Sequence, residues 1–454
     1  MNKTNIHFIA VGGSIMHNLA LALQKKGLRI TGSDDELYEP SKSRLEKAGI
    51  VTKIGWDANN ITTDTEAVIV GMHAKKDNPE LLKAQELNVP VYSFPEYIYE
   101  HSKNKQRIVI AGSHGKTSIT AMVLHVLNHI KADFDYAVGA QLEGFDCMVK
   151  LSDAPYIIIE GDEYLSSPLD SKPKFLNYHH HIAVLNGISW DHMNVFPTEK
   201  EYIHQFELLA ESTPKAGSLI YYEGDKVTKR IGAADRDDVL KFPYKAHSYK
   251  VKDGQCFLTE GKKKIPVSFF GEHNMINLQA AKTICLRLCV REEEFYEAIQ
   301  SFTGASKRLE KIAENGTNRV AYRDFAHAPS KLKASCEAVD ELYGKHKVIG
   351  CLELNTFSSL SKAFLPQYEK TFDAVDFPLI YINPAKLASR GDSELTESDL
   401  KTQMKNKKIQ LFTDRKALEK QITSLKTANS ILLLMSSGNF GGMDIPAVCT
   451  QFVN

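Results

Sequence analysis

Residues 108–118 read IVIAGSHGKTS, and this stretch decides the fold of the chain. Four apolar residues predict a buried strand, and an apolar helical pattern runs from Thr117 to His129. Between them lies a glycine-rich loop, whose backbone N–H groups suit a phosphate together with the positive end of the helix. We therefore expect Lys116 to reach the outer phosphates of a nucleotide and the Thr117 hydroxyl to ligate Mg²⁺.

The loop is shorter than the common phosphate-binding loop. Gly112 and Gly115 are separated by two residues, whereas the pattern G-x-x-x-x-G-K-[ST] has four. A tight glycine turn between a strand and a helix is the simpler alternative. The predicted nucleotide contacts are Gly112, Ser113, His114, Gly115, Lys116, Thr117 and Ser118.

Polar side chains follow two further apolar stretches. Glu160 comes directly after residues 156–159, and Asp191 and His192 follow residues 182–185. Ligands bind at the carboxyl ends of strands in open α/β sheets, and Mg²⁺ prefers carboxylates together with phosphate and water oxygens. We expect Glu160 and His192 to be metal ligands, with Asp191 orienting the histidine. The alternatives are an exposed acidic turn and a loop histidine packed on Trp190.

Short apolar runs alternate with helical patterns through most of the chain. This rhythm predicts an α/β protein with parallel sheets, because a parallel connection needs a crossover helix. Polar stretches at 100–107 and 302–307 mark two boundaries, while residues 249–270 read as short antiparallel strands. We predict three domains, namely a Rossmann-like domain at 1–106, a phosphate-loop ATPase-type sheet at 107–303 and a second Rossmann-like domain at 304–454.

Bulk composition restricts the class of partner. The 454 residues carry 56 basic and 56 acidic side chains, and this balance argues against nonspecific binding to nucleic acid or membrane surfaces. Seven scattered cysteines form no C-x-x-C pair, which is typical of reduced thiols. Neither a signal peptide nor an apolar run of membrane-spanning length is evident, so we expect a cytoplasmic protein.

Several motifs in order resemble those of the Mur ligase family. They cover nearly the whole chain, which makes the series more specific than any single motif. The motifs are GSHGKTS at 112–118, EGDE at 160–163, WDH at 190–192, HNMINLQAA at 273–281, Gly304 followed by Arg308, and RDFAHAP at 323–329.

The resemblance implies an ATP- and Mg²⁺-dependent ligase that activates a carboxylate as an acyl phosphate and couples it to an amine. It implies that Lys116, Glu160 and His192 take part in catalysis. It further implies that Asn277 recognises the base, that Arg308 and Asp324 contact the nucleotide, and that His327 lies near the amine. A folylpolyglutamate-type ligase and a nucleotide-binding regulator without ligase activity are the more distant alternatives.

The N-terminal segment resembles the UDP-binding loop of the members that use UDP-N-acetylmuramate. Ala10 replaces the first glycine of G-x-G-x-x-G, which disfavours a dinucleotide oxidoreductase. Residues 32–34, reading GSD, follow the second predicted strand, where an acid lies near the uridine in those members. The predicted UDP contacts are Gly13, Ser14, Ile15, Met16, Ser33 and Asp34.

Three stretches indicate which amine is used. Residues 38–41, 170–178 and 436–442 resemble segments of the members that join the tripeptide L-alanyl-γ-D-glutamyl-meso-diaminopimelate to UDP-N-acetylmuramate during murein recycling. The nearest alternative is a ligase that adds L-alanine. We expect a monomer or weak homodimer, with peptide contacts at Ser437, Gly438 and Asn439.

Two residues depart from the family pattern. Ala328 replaces the second histidine of an H-H-P segment, and Leu165 replaces an acid that often follows the acidic motif. Any role of that second histidine in amine binding is therefore absent from this chain.

Overall fold

A computed structural model describes residues 4–190, 195–316, 318–388 and 395–454. The chain forms two compact units. The first unit comprises Met1–Ile188, Ile203–Tyr244 and Thr283–Cys289, and the second comprises Ser189–Tyr202, Lys245–Lys282 and Val290–Asn454.

The first unit opens with a five-stranded parallel sheet in the order β3-β2-β1-β4-β5. The order reverses between β1 and β4, and ligands bind beyond the carboxyl ends of strands at such a switch point. The elements are β1 (Asn5–Ile9), α1 (Ser14–Lys25), β2 (Arg29–Asp34), α2 (Ser41–Lys47), β3 (Val51–Ile54), β4 (Ala67–Val70), α3 (Pro79–Glu86), β5 (Val91–Ser93) and α4 (Phe94–Glu100).

A seven-stranded sheet follows in the same unit, in the order β12-β11-β10-β6-β9-β7-β8. All its strand pairs are parallel except β7 with β8. The elements are β6 (Gln106–Ala111), α5 (Lys116–His129), β7 (Asp135–Ala137), β8 (Val149–Lys150), β9 (Tyr156–Glu160), β10 (Ile182–Leu185), α6 (Glu199–Glu211), β11 (Ser218–Tyr222), α7 (Lys226–Gly232) and β12 (Leu240–Tyr244).

The central strands of this sheet are almost wholly apolar and fully buried. Residues 108–111, 157–159 and 183–185 have 0% exposure. Parallel strands covered on both faces are continuously hydrophobic for this reason, which explains why the sequence shows uninterrupted apolar runs there.

The second unit contains a small antiparallel sheet in the order β13-β14-β15. Gly254 and Gly261 adopt left-handed backbone conformations at its two turns. Two helices follow, although the last residues of the first of them belong to the other unit. The elements are β13 (Tyr249–Lys252), β14 (Gln255–Glu260), β15 (Lys263–Val267), α8 (Glu272–Arg287) and α9 (Glu292–Ile299).

The rest of the second unit is a six-stranded sheet in the order β16-β17-β21-β18-β19-β20. Only β16 runs antiparallel to its neighbour. The elements are β16 (Glu310–Asn315), β17 (Arg319–Asp324), α10 (Pro329–Tyr343), β18 (Lys347–Leu354), β19 (Phe377–Ile382), α11 (Pro384–Ala388), α12 (Glu397–Gln403), β20 (Gln410–Phe412), α13 (Arg415–Ser424), β21 (Ser430–Met435) and α14 (Ile445–Val453).

The prediction of an α/β fold with several parallel sheets is confirmed. The three domain boundaries stay a prediction, because the first two sheets share one compact unit. Within the described ranges, no helix is both long enough and apolar enough to cross a membrane.

Candidate active site

The carboxyl ends of three neighbouring strands meet at one edge of the seven-stranded sheet. Strand β6 lies between β10 and β9, so the loops that follow these strands are adjacent. Backbone hydrogen bonds connect them: Ser113 N donates to Gly187 O at 2.9 Å, and Gly161 N donates to Ile110 O at 2.8 Å. The structure therefore brings together the phosphate-type loop and the acidic segment that the sequence predicted separately.

Both glycines of the loop are required by its geometry. Gly112 has φ +132°, and a Cβ there would lie 3.0 Å from the backbone N of Asn186. Gly115 has φ +74° at the N-terminal cap of α5, a conformation that costs a side chain energy. The first N–H groups of α5 have no partner within the helix, and an anion can accept from such groups.

Lys116 lies on a buried carboxylate. Its Nζ is 2.7 Å from Glu163 Oε2 and 2.7 Å from Gly112 O, and the Glu163 side chain is 1% exposed. Burial alone lowers the pKa of Lys116, but the charges of Glu163 and Asp162 outweigh it and hold the pKa above its usual value. The lysine is therefore a fixed cation beside the loop.

Glu160 receives hydrogen bonds on both of its carboxylate oxygens. Thr117 Oγ1 donates to Oε1 at 2.7 Å, and Gly139 N donates to Oε2 at 3.1 Å. These bonds join a helix start, a strand end and a loop, so the carboxylate has a defined orientation. The hydroxyl and the carboxylate together offer the hard oxygen atoms that suit Mg²⁺.

Asn186 is a site residue that sequence reasoning missed. Its Nδ2 donates to His114 O at 3.2 Å, and its Oδ1 accepts from the Tyr244 hydroxyl. The residue is 5% exposed, and the hydrogen bond from its side-chain amide supports the phosphate-type loop. Its position directly after a buried strand was the only signal in the sequence.

Asp191 and His192, predicted as an orienting pair and a metal ligand, lie outside the described residues. The nearby histidines 179–181 have other partners. His180 is buried against Thr213 at 2.9 Å, and burial lowers its pKa to about 3. His181 Nδ1 accepts from Arg107 N at 3.1 Å.

Residues 170–178 fold back onto the acidic segment. Lys174 Nζ is 2.9 Å from Asp162 Oδ2, and Lys174 N donates to Tyr164 O at 2.8 Å. Leu165, which departs from the family pattern, forms a backbone bridge with Pro173. Asn177 secures the inside of the loop by donating to Asp170 at 2.7 Å. The insertion thereby presents a lysine beside the acidic segment, which the sequence alone did not indicate.

At the edge of the five-stranded sheet, Asp34 holds the glycine loop. Gly12 N donates to Asp34 Oδ2 at 2.6 Å. Burial raises the pKa of Asp34 to about 6, although the Gly12 N–H opposes this shift. The neighbouring Ser33 is fully buried and its hydroxyl donates to Glu80, which is also fully buried.

The first turn of α1 carries the other residues predicted to contact UDP. Ser14 is exposed, Gly13 and Ile15 are half-buried, and the Met16 side chain is buried at 5%. Met16 can therefore offer a ligand only its backbone, because its side chain packs in the core.

In the second unit, a backbone hydrogen bond joins the two segments that carry Arg308 and Asp324. Phe325 N donates to Lys307 O at 2.8 Å, and the Arg308 guanidinium lies 4.6 Å from the centre of the Phe325 ring. Asp324 is 6% exposed and accepts from the Ser335 hydroxyl.

Asn277 and His327 are the other predicted nucleotide and amine residues in this unit. Asn277 is buried on α8, one turn after His273. Burial lowers the pKa of His273, and the charge of Asp324 partly opposes this shift. His327 is 8% exposed with its Nδ1 2.8 Å from Phe325 O, and Ala328 is the residue before α10, at its N-cap, with no side-chain cap hydrogen bond.

The loop at 436–442, which carries the predicted peptide contacts, is held by hydrogen bonds to two of its amides. Phe440 N donates to Glu353 Oε2 at 2.9 Å, and Gly438 N donates to Ser436 Oγ at 2.6 Å. The buried Glu353 carboxylate also accepts from Ser436, so it holds the two ends of this loop. Among the described residues, the buried Ser437 Oγ has no hydrogen-bond partner.

A phosphate-type loop, a fixed lysine and a carboxylate at the carboxyl edge of a parallel sheet define a nucleotide-binding α/β protein. A model described as "Mur ligase family, catalytic domain" matches residues 5–106, and one described as "Mur ligase middle domain" matches residues 110–285. The chain belongs to the Mur ligase family and is an ATP-dependent ligase of peptidoglycan metabolism.

Individual relatives agree with this assignment. The UDP-N-acetylmuramate–L-alanine ligase of Clostridium kluyveri is 29% identical over 456 residues, 97% of this chain and 96% of that protein. The UDP-N-acetylmuramate–L-alanyl-gamma-D-glutamyl-meso-2,6-diaminoheptandioate ligase of Haemophilus influenzae is 29% identical over 359 residues, 77% and 79% of the two chains. The solved UDP-N-acetylmuramate-alanine ligase of Thermotoga maritima has a TM-score of 0.72 and 21% identity over 99% of this chain and 98% of that one, which shows a shared fold.

Proposed function

We propose that this ligase joins the murein tripeptide L-alanyl-γ-D-glutamyl-meso-diaminopimelate to UDP-N-acetylmuramate, with ATP and Mg²⁺. The observation that carries the chemistry is the arrangement of Lys116, Thr117 and Glu160 around the loop at 112–118. Phosphoryl transfer needs positioning and charge neutralisation more than covalent help from the protein, and these residues offer both.

The residues present fit Mg²⁺. Thr117 donates its hydrogen to Glu160, and a hydroxyl oxygen beside a carboxylate is of the ligand type that Mg²⁺ prefers. We propose Thr117, Glu160 and His192 as its protein ligands, because Mg²⁺ takes few protein ligands and keeps phosphate and water oxygens. When bound, the ion would neutralise charge on the ATP phosphates.

The reaction balances in two steps. A carboxylate oxygen of UDP-N-acetylmuramate attacks the γ-phosphorus of ATP, which forms an acyl phosphate and releases ADP. The amine then attacks the acyl carbon, inorganic phosphate leaves, and an amide forms. Lys116 and the loop N–H groups hold the transferred phosphoryl group, and we propose that His327 lies near the incoming amine.

The remaining contacts are proposed from the family resemblance together with burial. Asn277, Arg308 and Asp324 are assigned to the nucleotide. The first turn of α1, at residues 13–16, is assigned to the diphosphate of UDP, since a helix N-terminus favours an anion. Asp34 supports that turn through Gly12, and the Ser33 hydroxyl next to it donates to Glu80.

The choice of the tripeptide is supported by the insertion at 170–178. It resembles the insertion of the tripeptide-adding members, and its Lys174 pairs with Asp162 two residues after Glu160. The name of the Haemophilus influenzae relative specifies the same amine substrate. We propose that the peptide also contacts Ser437, whose hydroxyl lacks a partner among the described residues.

L-Alanine is the second candidate for the amine. The Clostridium kluyveri relative, named for L-alanine, covers 97% of this chain at the same 29% identity as the tripeptide relative. The fold also resembles that of a solved L-alanine ligase, although 21% identity carries no information on the substrate.

The deciding experiment is phosphate release in the presence of ATP, Mg²⁺ and UDP-N-acetylmuramate, with the tripeptide or L-alanine supplied in parallel. We expect strong stimulation by the tripeptide. Preference for L-alanine would establish the second candidate, and stimulation by neither would refute both amine assignments.

Two variants test the insertion directly. Lys174→Met removes the ion pair with Asp162, so we expect a higher KM for the tripeptide and an unchanged KM for ATP. Lys172→Met is the matched control, because Lys172 lies in the same insertion and is exposed. Equal kinetic constants in the two variants would count against a role of the insertion in amine binding.

A further inference from the structure

Residues 138–148 connect β7 to β8 at the edge of the seven-stranded sheet, and we call them the connecting loop. Nothing in the sequence singled this loop out. Its polar groups bond at one side to Glu160 and at the other to the first turns of α1 and to α2. The loop therefore touches both the proposed metal carboxylate and the helix assigned to UDP.

At the start of the loop, Gly139 is bonded on both sides. Its N–H donates to Glu160 Oε2 at 3.1 Å, and its carbonyl accepts from Ser14 Oγ at 3.0 Å. Glu160 in turn accepts from Thr117 at 2.7 Å. A continuous series of hydrogen bonds thus runs from the first residue of α1 to the first turn of α5.

At the end of the loop, Asn18 fastens it to the same turn of α1. Asn18 Oδ1 accepts from Met148 N at 3.0 Å, while its Nδ2 donates to Ser14 O at 2.7 Å. Cys147 Sγ lies 3.2 Å from Asn18 O. Asn18 is 2% exposed, so water does not compete for these bonds.

Arg44 of α2 makes a second connection. Its Nη2 donates to Asp146 O, and its Nη1 lies 3.1 Å from His17 Nε2. Because arginine only donates, Nε2 must accept, which leaves the proton on His17 Nδ1. That nitrogen donates to Gly13 O at 2.9 Å. The second connection thereby also ends on the glycine loop.

We propose that the connecting loop couples the UDP site to the metal carboxylate, and that Asn18 and Arg44 are the positioning residues of this coupling. Occupancy of the first turn of α1 fixes Ser14 and Asn18, which fixes Gly139 and so the orientation of Glu160. The inference rests on the proposed assignments of residues 13–16 to UDP and of Glu160 to Mg²⁺. Binding at either site must then strengthen binding at the other by the same factor.

The test is calorimetric titration of the full chain with ADP and Mg²⁺, with and without saturating UDP-N-acetylmuramate. We expect UDP-N-acetylmuramate to tighten ADP binding by about five-fold or more in the unaltered protein, which is the lower range of site coupling in proteins. In Asn18→Leu and in Arg44→Met this factor falls toward one, while the Kd of ADP measured alone stays close to that of the unaltered protein.

Gln24→Ala is the matched control. Gln24 lies on α1 and donates to Ala48 O at 2.7 Å, a bond of the same kind that does not involve the connecting loop. We expect the control to keep the full coupling factor. Arg44→Met keeps the aliphatic stem on a half-buried residue, so it serves where the buried Asn18 substitution impairs folding.

The outcomes separate this inference from the proposed function. A coupling factor of one in the unaltered protein overturns the inference. Equal factors in the unaltered protein, in Asn18→Leu and in Arg44→Met also overturn it. If the unaltered protein shows coupling but releases no phosphate with either amine, the coupling is supported and the proposed reaction is refuted. The inference is also overturned if the coupling factor falls to one in Gln24→Ala as well as in Asn18→Leu and Arg44→Met. The effect would then follow from any change in α1.

Discussion

Replacing Lys116 with methionine leaves the Glu163 carboxylate buried without its cation. The Glu163 side chain is 1% exposed and lies 2.7 Å from Lys116 Nζ. Removing one partner of a buried ion pair costs about 3–5 kcal/mol, because the remaining charge cannot be solvated. We therefore expect Lys116→Met to lower the free energy of unfolding by about 3 kcal/mol or more, in addition to abolishing ligation.

Removing both charges shows whether the lost stability comes from the unpaired Glu163 carboxylate. Replacing a buried pair by apolar residues of similar volume is often neutral, so Lys116→Met combined with Glu163→Leu should regain most of the lost stability. A double-mutant cycle of the two single variants and the double variant measures this coupling. The matched control is Lys83→Met, which breaks an exposed pair with Glu86 and should cost little.

The assay is urea unfolding followed by circular dichroism. The dependence of the unfolding free energy on urea concentration is compared among the variants. The chain has two compact units, so two unfolding transitions can occur. The transition that ADP shifts to higher urea concentration belongs to the unit that contains the site. Unfolding of Lys116→Met within about 1 kcal/mol of the unaltered protein would refute the view that Lys116 compensates a buried charge. Additive losses in the double variant would refute the pairing itself.

Three further predictions concern single residues. Thr117→Val keeps the shape but removes the hydroxyl that contacts Glu160, so kcat should fall by about 10- to 100-fold and the Mg²⁺ requirement should rise, as measured by phosphate release. Asp34 has a raised pKa of about 6 in the folded chain, so its ionisation lowers the stability of the fold as the pH rises from 4 through 6. Asp34→Asn removes this pH dependence, and unfolding measurements between pH 4 and pH 8 should show a gain of up to about 2 kcal/mol over the unaltered protein. Glu353→Leu removes the acceptor for Phe440 N and the Ser436 hydroxyl, so the loop at 436–442 should loosen and the KM of the tripeptide should rise without a change in the KM of ATP; an unchanged tripeptide KM would argue against a peptide site at this loop.

Local sequence was enough to predict the phosphate-type loop and the sheet class. The apolar run at 108–111, the glycines at 112 and 115 and the helix that begins at Lys116 are neighbours in the chain, so their spacing already specifies a strand, a tight turn and a helix start. The carboxyl ends of parallel strands share one edge of a sheet. For this reason, the sequence also placed Glu160 near the loop.

The sequence did not predict the hydrogen-bond partners of polar side chains. Ser33 was expected to contact UDP, but β2 turns its hydroxyl toward the buried Glu80 of α3, a residue 47 positions away. In the loop at 436–442, Phe440 N donates to Glu353 of β18, a residue 87 positions away. Both results depend on which strands and helices become neighbours, and a linear pattern carries no such information.

The sequence by itself determined the fold class, the family and the residues of the phosphate-type loop, because these follow from periodicity and from motifs that are contiguous in the chain. The tertiary structure alone decided that Gly139 orients Glu160, that Asn18 fastens the connecting loop and that Lys174 pairs with Asp162. A buried polar group must find a hydrogen-bond partner, and strand order and loop packing choose that partner from distant parts of the chain.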